Sequence, residues 1–159
     1  MKKFQSTPND KMVLFSLEES RHALYSLVFK CVIYLAEMAL LLKAPESVLG
    51  AINLQGEVIP VVDICKFFKL PNREIDLGDR FIIAQTTKRK VVLVVDSVNG
   101  VSYLSNLQVV DTKVELPFAG FISGVTVFEN NLVLINDLEK FLSFDEQQTL
   151  DRAFEEFVK

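Results

Sequence analysis

The sequence predicts a mostly β protein, built as two pseudo-repeated five-stranded barrels packed together and finished by a C-terminal amphipathic helix. Three observations predict it. Between residues 12 and 142, short runs rich in Val, Ile, Leu and Phe alternate with turn formers, and no long helical period separates them. The stretch LGAINLQGEVIPVVDICKFF at 49–68 returns as SGVTVFENNLVLINDLEKFL at 123–142, with Gly50 thirteen residues before Asp63 and Gly124 thirteen before Asp137. Upstream, ALYSLVFKCVIYL at 23–35 matches VLVVDSVNGVSYL at 92–104 with a constant offset of 69, which pairs Leu24 with Leu93, Val32 with Val101 and Leu35 with Leu104. Two matched blocks per half indicate an internal duplication, at approximately 12–70 and 80–142. A half of this size buries only about 60% of its unfolded surface, so the two gain by sharing a core.

The elements follow in chain order. Residues 1–11, polar and led by two lysines, predict a flexible tail, and the domain proper is expected over 12–144. MVLFSL and HALYSLV read as strands joined at EESR (18–21). AEMALLLKAPESVLG favours one or two helical turns through Lys43, which Pro45 then ends. EVIPVVDI is a strand whose Pro60 implies an edge or bulge position, and Gly50 and Gly56 suit bulges or tight corners. RFIIAQ and KVVLVVD turn through TTKRK, GVSYL is a further strand, and GFISGVTVF and NLVLIND turn through ENN (129–131). The last segment, 145–159, is a helix expected to dock on the domain. Ser143 and Asp145 offer N-caps, Glu146 completes a capping box with Ser143, and Leu150, Ala153, Phe154 and Phe157 form one stripe.

Composition excludes several function classes. A net charge of −4 and a pI near 5.1 argue against nucleic acid, since such proteins collect Lys and Arg to displace counterions. Lys30 and Glu37 interrupt the longest apolar run, so no uncharged stretch reaches the roughly 18 residues of a bilayer span. With no apolar signal segment behind Lys2-Lys3, the expectation is a cytoplasmic protein. Cys31, Cys65 and the single His22 are too few and too scattered for a zinc site, and both thiols are expected to be buried. No nucleophile elbow, metal-binding histidine pair or Gly-rich phosphate loop occurs. His22 beside a hairpin turn suits a solvated or capping imidazole, and Asp63, Asp96 and Asp137 at strand ends suit carboxylates that accept backbone N–H groups. The expectation is no enzyme, no cofactor and no metal.

The two copies differ at one telling place. Where the second reads Asp96-Ser97-Val98-Asn99-Gly100, a polar turn, the first reads Leu27-Val28-Phe29-Lys30-Cys31. A bend shared by both copies would there present apolar side chains to a partner, or use them to plug the gap between barrels.

The segment APESVLGAINLQGEVIPVVDI resembles the signature of the chemotaxis coupling protein CheW family, with Pro45, Gly50, Asn53, Gln55, Gly56, Pro60 and Asp63 in the characteristic places. The resemblance spans roughly residues 12–157. It implies intertwined SH3-like or OB-like barrels and a non-enzymatic adaptor. Its partners would be the cytoplasmic tip of a methyl-accepting chemoreceptor and the regulatory domain of a CheA-type histidine kinase, at receptor arrays on the membrane. The implied contact residues are Val28, Phe29, Lys30 and Val32 at the bend, with Gly50, Asn53, Gln55 and Gly56 at the loop. Phe29, Val28 and Val32 would form a small apolar centre rimmed by Lys30, Asn53 and Gln55. Two departures mark a divergent member. Gln55 replaces the family's Arg and loses a forked cation, and Cys31 stands where an acidic residue is common. Both fit a partner set with altered charges, as in an auxiliary system controlling motility or pili. The rival reading is a nucleic-acid-binding OB-like barrel, which lacks the interleaved basic and aromatic residues such sites use.

Overall fold

In the first hairpin, β1 (Lys11–Leu17) and β2 (Ser20–Tyr25) pair in the register Leu17↔Ser20 to Met12↔Tyr25, and Glu18 at φ 52° turns the chain. The computed structural model to which they belong describes residues 11–71, 74–103, 108–110 and 119–157. Most of the expected tail, the residue Leu104 and the side chain of Phe157 lie outside the described residues. Then follow β3 (Phe29–Ile33), β4 (Val48–Leu54), β5 (Glu57–Val62) and the one-turn helix α1 (Ile64–Phe67). The second half holds β6 (Arg80–Gln85), β7 (Lys90–Val95), β8 (Ser97–Tyr103), β9 (Gln108–Val110), β10 (Ile122–Phe128) and β11 (Asn131–Asn136). A 3-10 turn at Leu138–Lys140 leads to α2 (Phe144–Phe157). EESR, TTKRK and ENN are hairpin turns, as expected.

The strands form a five-stranded sheet, β3-β6-β7-β5-β4, and a second sheet, β8-β1-β2-β11-β10, that β9 extends to six. Neither sheet is drawn from one half of the chain. Each takes its central hairpin from the other half, so the repeats are exchanged. The registers match to the residue: Leu14↔Ala23 and Leu14↔Gly100 correspond, at an offset of 69, to Ile83↔Val92 and Cys31↔Ile83. Gly50↔Val61 corresponds to Gly124↔Ile135 at an offset of 74, each beside a bulge. At that same offset the hairpin tips Gln55-Gly56 and Glu129-Asn130 all adopt positive φ, which is the type I′ pattern of two-residue loops.

Packing repeats the same arithmetic. Inside the five-stranded sheet lie Phe81, Ile83, Val92, Ile59 and Val61, and inside the other their counterparts Met12, Leu14, Ala23, Val133 and Ile135. Between the sheets sits a third, shared cluster that includes Phe15, Leu24, Ile82, Leu93, Phe67 and Phe141. Phe67 and Phe141 occupy equivalent positions of the two copies, and they stack on each other with centroids 4.8 Å apart. The Asp63 and Asp137 backbones are held alike, by Ser47 O at 2.7 Å and Phe121 O at 3.0 Å.

Several local expectations give way. Residues 34–47 form no helix. The backbone of Ala39 exchanges two hydrogen bonds with Ala51, at 2.8 and 2.9 Å, so the segment runs extended along β4. Pro60 is buried within β5, on the stretch that β7 does not pair, where its missing N–H costs nothing. Cys31 is exposed rather than buried, because it lies on β3, a sheet edge. His22 is fully buried rather than solvated, because it points inward from β2, stacked on Phe15 at 5.4 Å with Phe68 edge-on at 4.7 Å.

Helix α2 docks through Leu150 and Ala153, both buried, against Leu41, Val48 and Leu142, with Phe154 half-buried beside them. The capping box forms: Ser143 N donates to Glu146 Oε1 at 3.0 Å, and Glu146 N donates to Ser143 Oγ at 3.1 Å. Arg89, on the TTKRK turn, donates to Gln147 at 2.7 Å and to Asp151, which ties that hairpin to the helix.

Candidate docking surface

The bend after β2 is made by backbone bonds, Val28 N to Tyr25 O at 3.1 Å and Phe29 N to Ser26 O at 3.2 Å. Val28 O accepts Gln85 N at 2.7 Å, which locks the bend to β6. In a regular strand Phe29 and Val32, three apart, would face opposite sides. The bulge at Lys30, where β3 passes from Phe29↔Ala84 to Cys31↔Ile83, breaks that alternation. Both side chains therefore pack, half-buried, against the shared cluster, together with Val28. The apolar centre expected at the surface is thus largely a plug between the sheets. What the bend does present is Leu27, 88% exposed, flanked by exposed Lys30 and Cys31. Tyr34, further along, lies under the Arg80 guanidinium at 4.5 Å.

The second group sits on the β4–β5 hairpin. Asn53 Oδ1 accepts the Gly56 N–H at 2.9 Å and so braces the tip, where Gln55 stands at φ 53° and Gly56 at φ 88°. Asn53, Gln55 and Gly56 are all exposed. Gly50 is not: a Cβ there would lie 2.4 Å from Ala39 O and 2.8 Å from Met38 Cγ. Its role is to let the 38–39 segment lie flat on β4, and it is no part of the surface. The bend and the hairpin belong to β3 and β4, the two edges of one sheet, with three strands between them. β3 and β4 do not pair with each other, and the Ala39↔Ala51 bridge links the segment after β3 to β4.

Leu27 belongs to the bend that the comparison of copies singles out, but not to the contact set that the family resemblance implies. Leu40 and Leu42, 74% and 69% exposed, went unnoticed because a helical reading of their segment hid their orientation. Burial pushes the His22 imidazole down to about 4, against a weaker opposing bond with Asn136, so it is neutral at pH 7 and sealed from solvent. Asp96 and Asp137 are spent on backbone N–H groups of Glu18 and Glu139, at 2.6 and 3.1 Å. Among the described residues no three His, Cys, Asp or Glu side chains gather as metal ligands.

The CheW-like domain family model matches residues 11–146. This chain belongs to the CheW-like family. It is 30% identical over 107 residues to the chemotaxis protein CheW of Rhizobium meliloti (strain 1021), covering 66% of this chain and 69% of that one. With the chemotaxis protein CheW of Treponema pallidum (strain Nichols) it shares 25% identity over 146 residues, 88% and 86% of the two chains. Among solved structures, the scaffolding protein TtCheW from Thermoanaerobacter tengcongensis superimposes with a TM-score of 0.76 at 26% identity, over 86% of this chain and 94% of that one. The mostly β architecture with a C-terminal helix expected from the sequence matches this neighbour's fold, the two expected five-stranded barrels being two packed sheets, one of which β9 extends. Among the described residues no helix is long and apolar enough to cross a membrane.

Proposed function

We propose that this CheW-like chain is a non-enzymatic adaptor that couples chemoreceptors to a CheA-type histidine kinase in a chemotaxis or related chemosensory system. The observation that carries the reading is family membership across residues 11–146, which spans both exchanged sheets. An adaptor must hold two partners in fixed relation, and a body whose halves share strands and a core is rigid enough to do so. The kinase would be engaged through its regulatory domain and the receptor through its cytoplasmic tip. The work would then be done in the cytoplasm, at membrane-associated receptor arrays. The exposed bend at Leu27–Cys31 and the Asn53–Gly56 hairpin are the surfaces we assign to these contacts, with half-buried Val28, Phe29 and Val32 holding the bend in shape. Gln55 at the hairpin tip supplies a neutral amide, which suits a partner lacking the carboxylate that an arginine would seek.

The test is affinity capture of the tagged protein from its own cells. A histidine kinase and a chemoreceptor should be recovered together, and purified kinase regulatory domain should bind directly. Recovery of neither, with the protein folded and abundant, would overturn the proposal.

A further inference from the structure

The duplication shows where one sheet edge is complete and its twin is not. The outer edge of β10 is covered by β9, with Val125 opposite Val110, Thr126 opposite Val109 and Val127 opposite Gln108. At the offset of 74, Val125 and Val127 correspond to Ala51 and Asn53 on β4. There the covering segment, the connection after β3, makes a single bridge, Ala39↔Ala51. Residues along an antiparallel strand alternate in the direction of their N–H and C=O groups. The N–H and C=O of Ala51 face Ala39, away from β5, so those of Asn53, two residues on, face the same way. Val127 is matched by Gln108 at this place, but no strand residue among the described ones pairs with Asn53 on that side. A groove of about 340 Å³ lies there instead, between Ala36, Glu37 and Ala39 on one wall and Ala51, Ile52, Asn53 and Val58 on the other. Glu37, exposed, is the charged side chain of that lining.

We propose that this groove is a strand-docking site: an extended, β-prone segment of a partner protein, carrying a lysine or arginine to meet Glu37, pairs with the outward N–H and C=O of Asn53, the place that Gln108 takes beside Val127, while Ala39 keeps its bonds to Ala51. Main-chain bonds supply the affinity in such strand addition, and side chains in the groove supply the selectivity. The carboxylate of Glu37 favours a cationic occupant and disfavours an acidic one. The site includes Asn53, which the proposed coupling role also uses, so it deepens that reading, and a peptide probe reads strand docking without kinase or receptor.

The test uses the full chain, isotope-labelled, with the capped peptide TKVTV as probe and TEVTV and TKPTV as controls. With TKVTV the Asn53 amide should shift, and its hydrogen exchange should slow by about tenfold or more near saturation. TEVTV should bind several-fold more weakly, and TKPTV, lacking the pairing N–H, should leave Asn53 unchanged. Asn53→Pro removes the outward N–H while leaving the ladder bonds to β5, and should abolish TKVTV binding. Asn53→Val, the residue of the second copy, should retain it. The proposal is overturned if TKVTV leaves Asn53 unaffected, if TKPTV binds equally, or if the Asn53 amide is already protected in the free chain, which would mean that Glu37 closes on this edge itself. Should Asn53→Pro fail to fold, exchange in the unaltered chain decides alone.

Discussion

His22 is where a single side chain most clearly reports its surroundings. Its protonated form is refused by the folded core, which holds it near 4, but is accepted in the unfolded chain near 6.5. Its contribution is therefore fully present above about pH 6.5 and is lost as pH falls toward 4, to the extent of about 3 kcal/mol. His22→Phe keeps the stack on Phe15 without the titration. The difference in unfolding free energy between wild type and variant, measured by denaturant titration, should shift by about that amount between pH 7 and pH 4. A pH-independent difference would contradict it. Gly50→Ala should cost about 1–3 kcal/mol, because the new methyl meets the carbonyl of Ala39 and no flexible side chain can absorb the whole clash. A lowered denaturant midpoint with unchanged slope is the expected signature. At the bend, Leu27→Asp should leave the melting temperature unchanged and weaken kinase or receptor capture, whereas Phe29→Asp should lower the melting temperature. That contrast also shows what was legible in the chain. Comparison of the copies located the bend, but which of its residues face inward depends on one bulged residue, Lys30, and alternation alone does not announce a bulge.

Helix α2 is the element whose sequence signals served best: the Ser143–Glu146 cap formed, and Leu150, Ala153 and Phe154 of the stripe dock. Its cap, stripe and docking face were all written locally, in residues three and four apart. The segment 34–47 shows the opposite case. Ala, Glu, Met and Leu favour helix there, yet the backbone is claimed by β4 through Ala39, and Gly50, eleven residues downstream, makes the close approach possible. Propensity lost to a contact that no local window contains. The docking of α2 rests on few side chains, so it should be separable from the body. Leu150→Ala, at a site with no exposure, should cost about 2–5 kcal/mol, and Ser143→Ala about 1 kcal/mol through loss of the cap. Amide exchange should localise both effects to α2 and the 41–48 segment, leaving the two sheets protected. Uniform loss of protection in Ser143→Ala would show instead that helix and body unfold as one.

At the scale of the whole molecule the decisive fact is the exchange of hairpins. The repeat was visible in the sequence, as was its register, but not which half supplies which strand, because pairing partners are set by the fold's topology and both hairpins satisfy the same apolar pattern. The consequence is testable by cutting the chain within the exposed residues 74–78, into 1–75 and 76–159. Fragment 1–75 would lack the β6–β7 hairpin at the centre of its sheet, and fragment 76–159 would lack β1–β2 at the centre of the other. Each would also lose half of the shared cluster, including one partner of the Phe67–Phe141 stack. Neither fragment alone should show a cooperative thermal transition, since the apolar faces of its strands have nothing to close on. Mixed in equal amounts they should associate and recover the near-ultraviolet signature and capture behaviour of the intact chain. If the repeats were instead independent barrels laid side by side, each fragment would melt cooperatively by itself and mixing would change nothing.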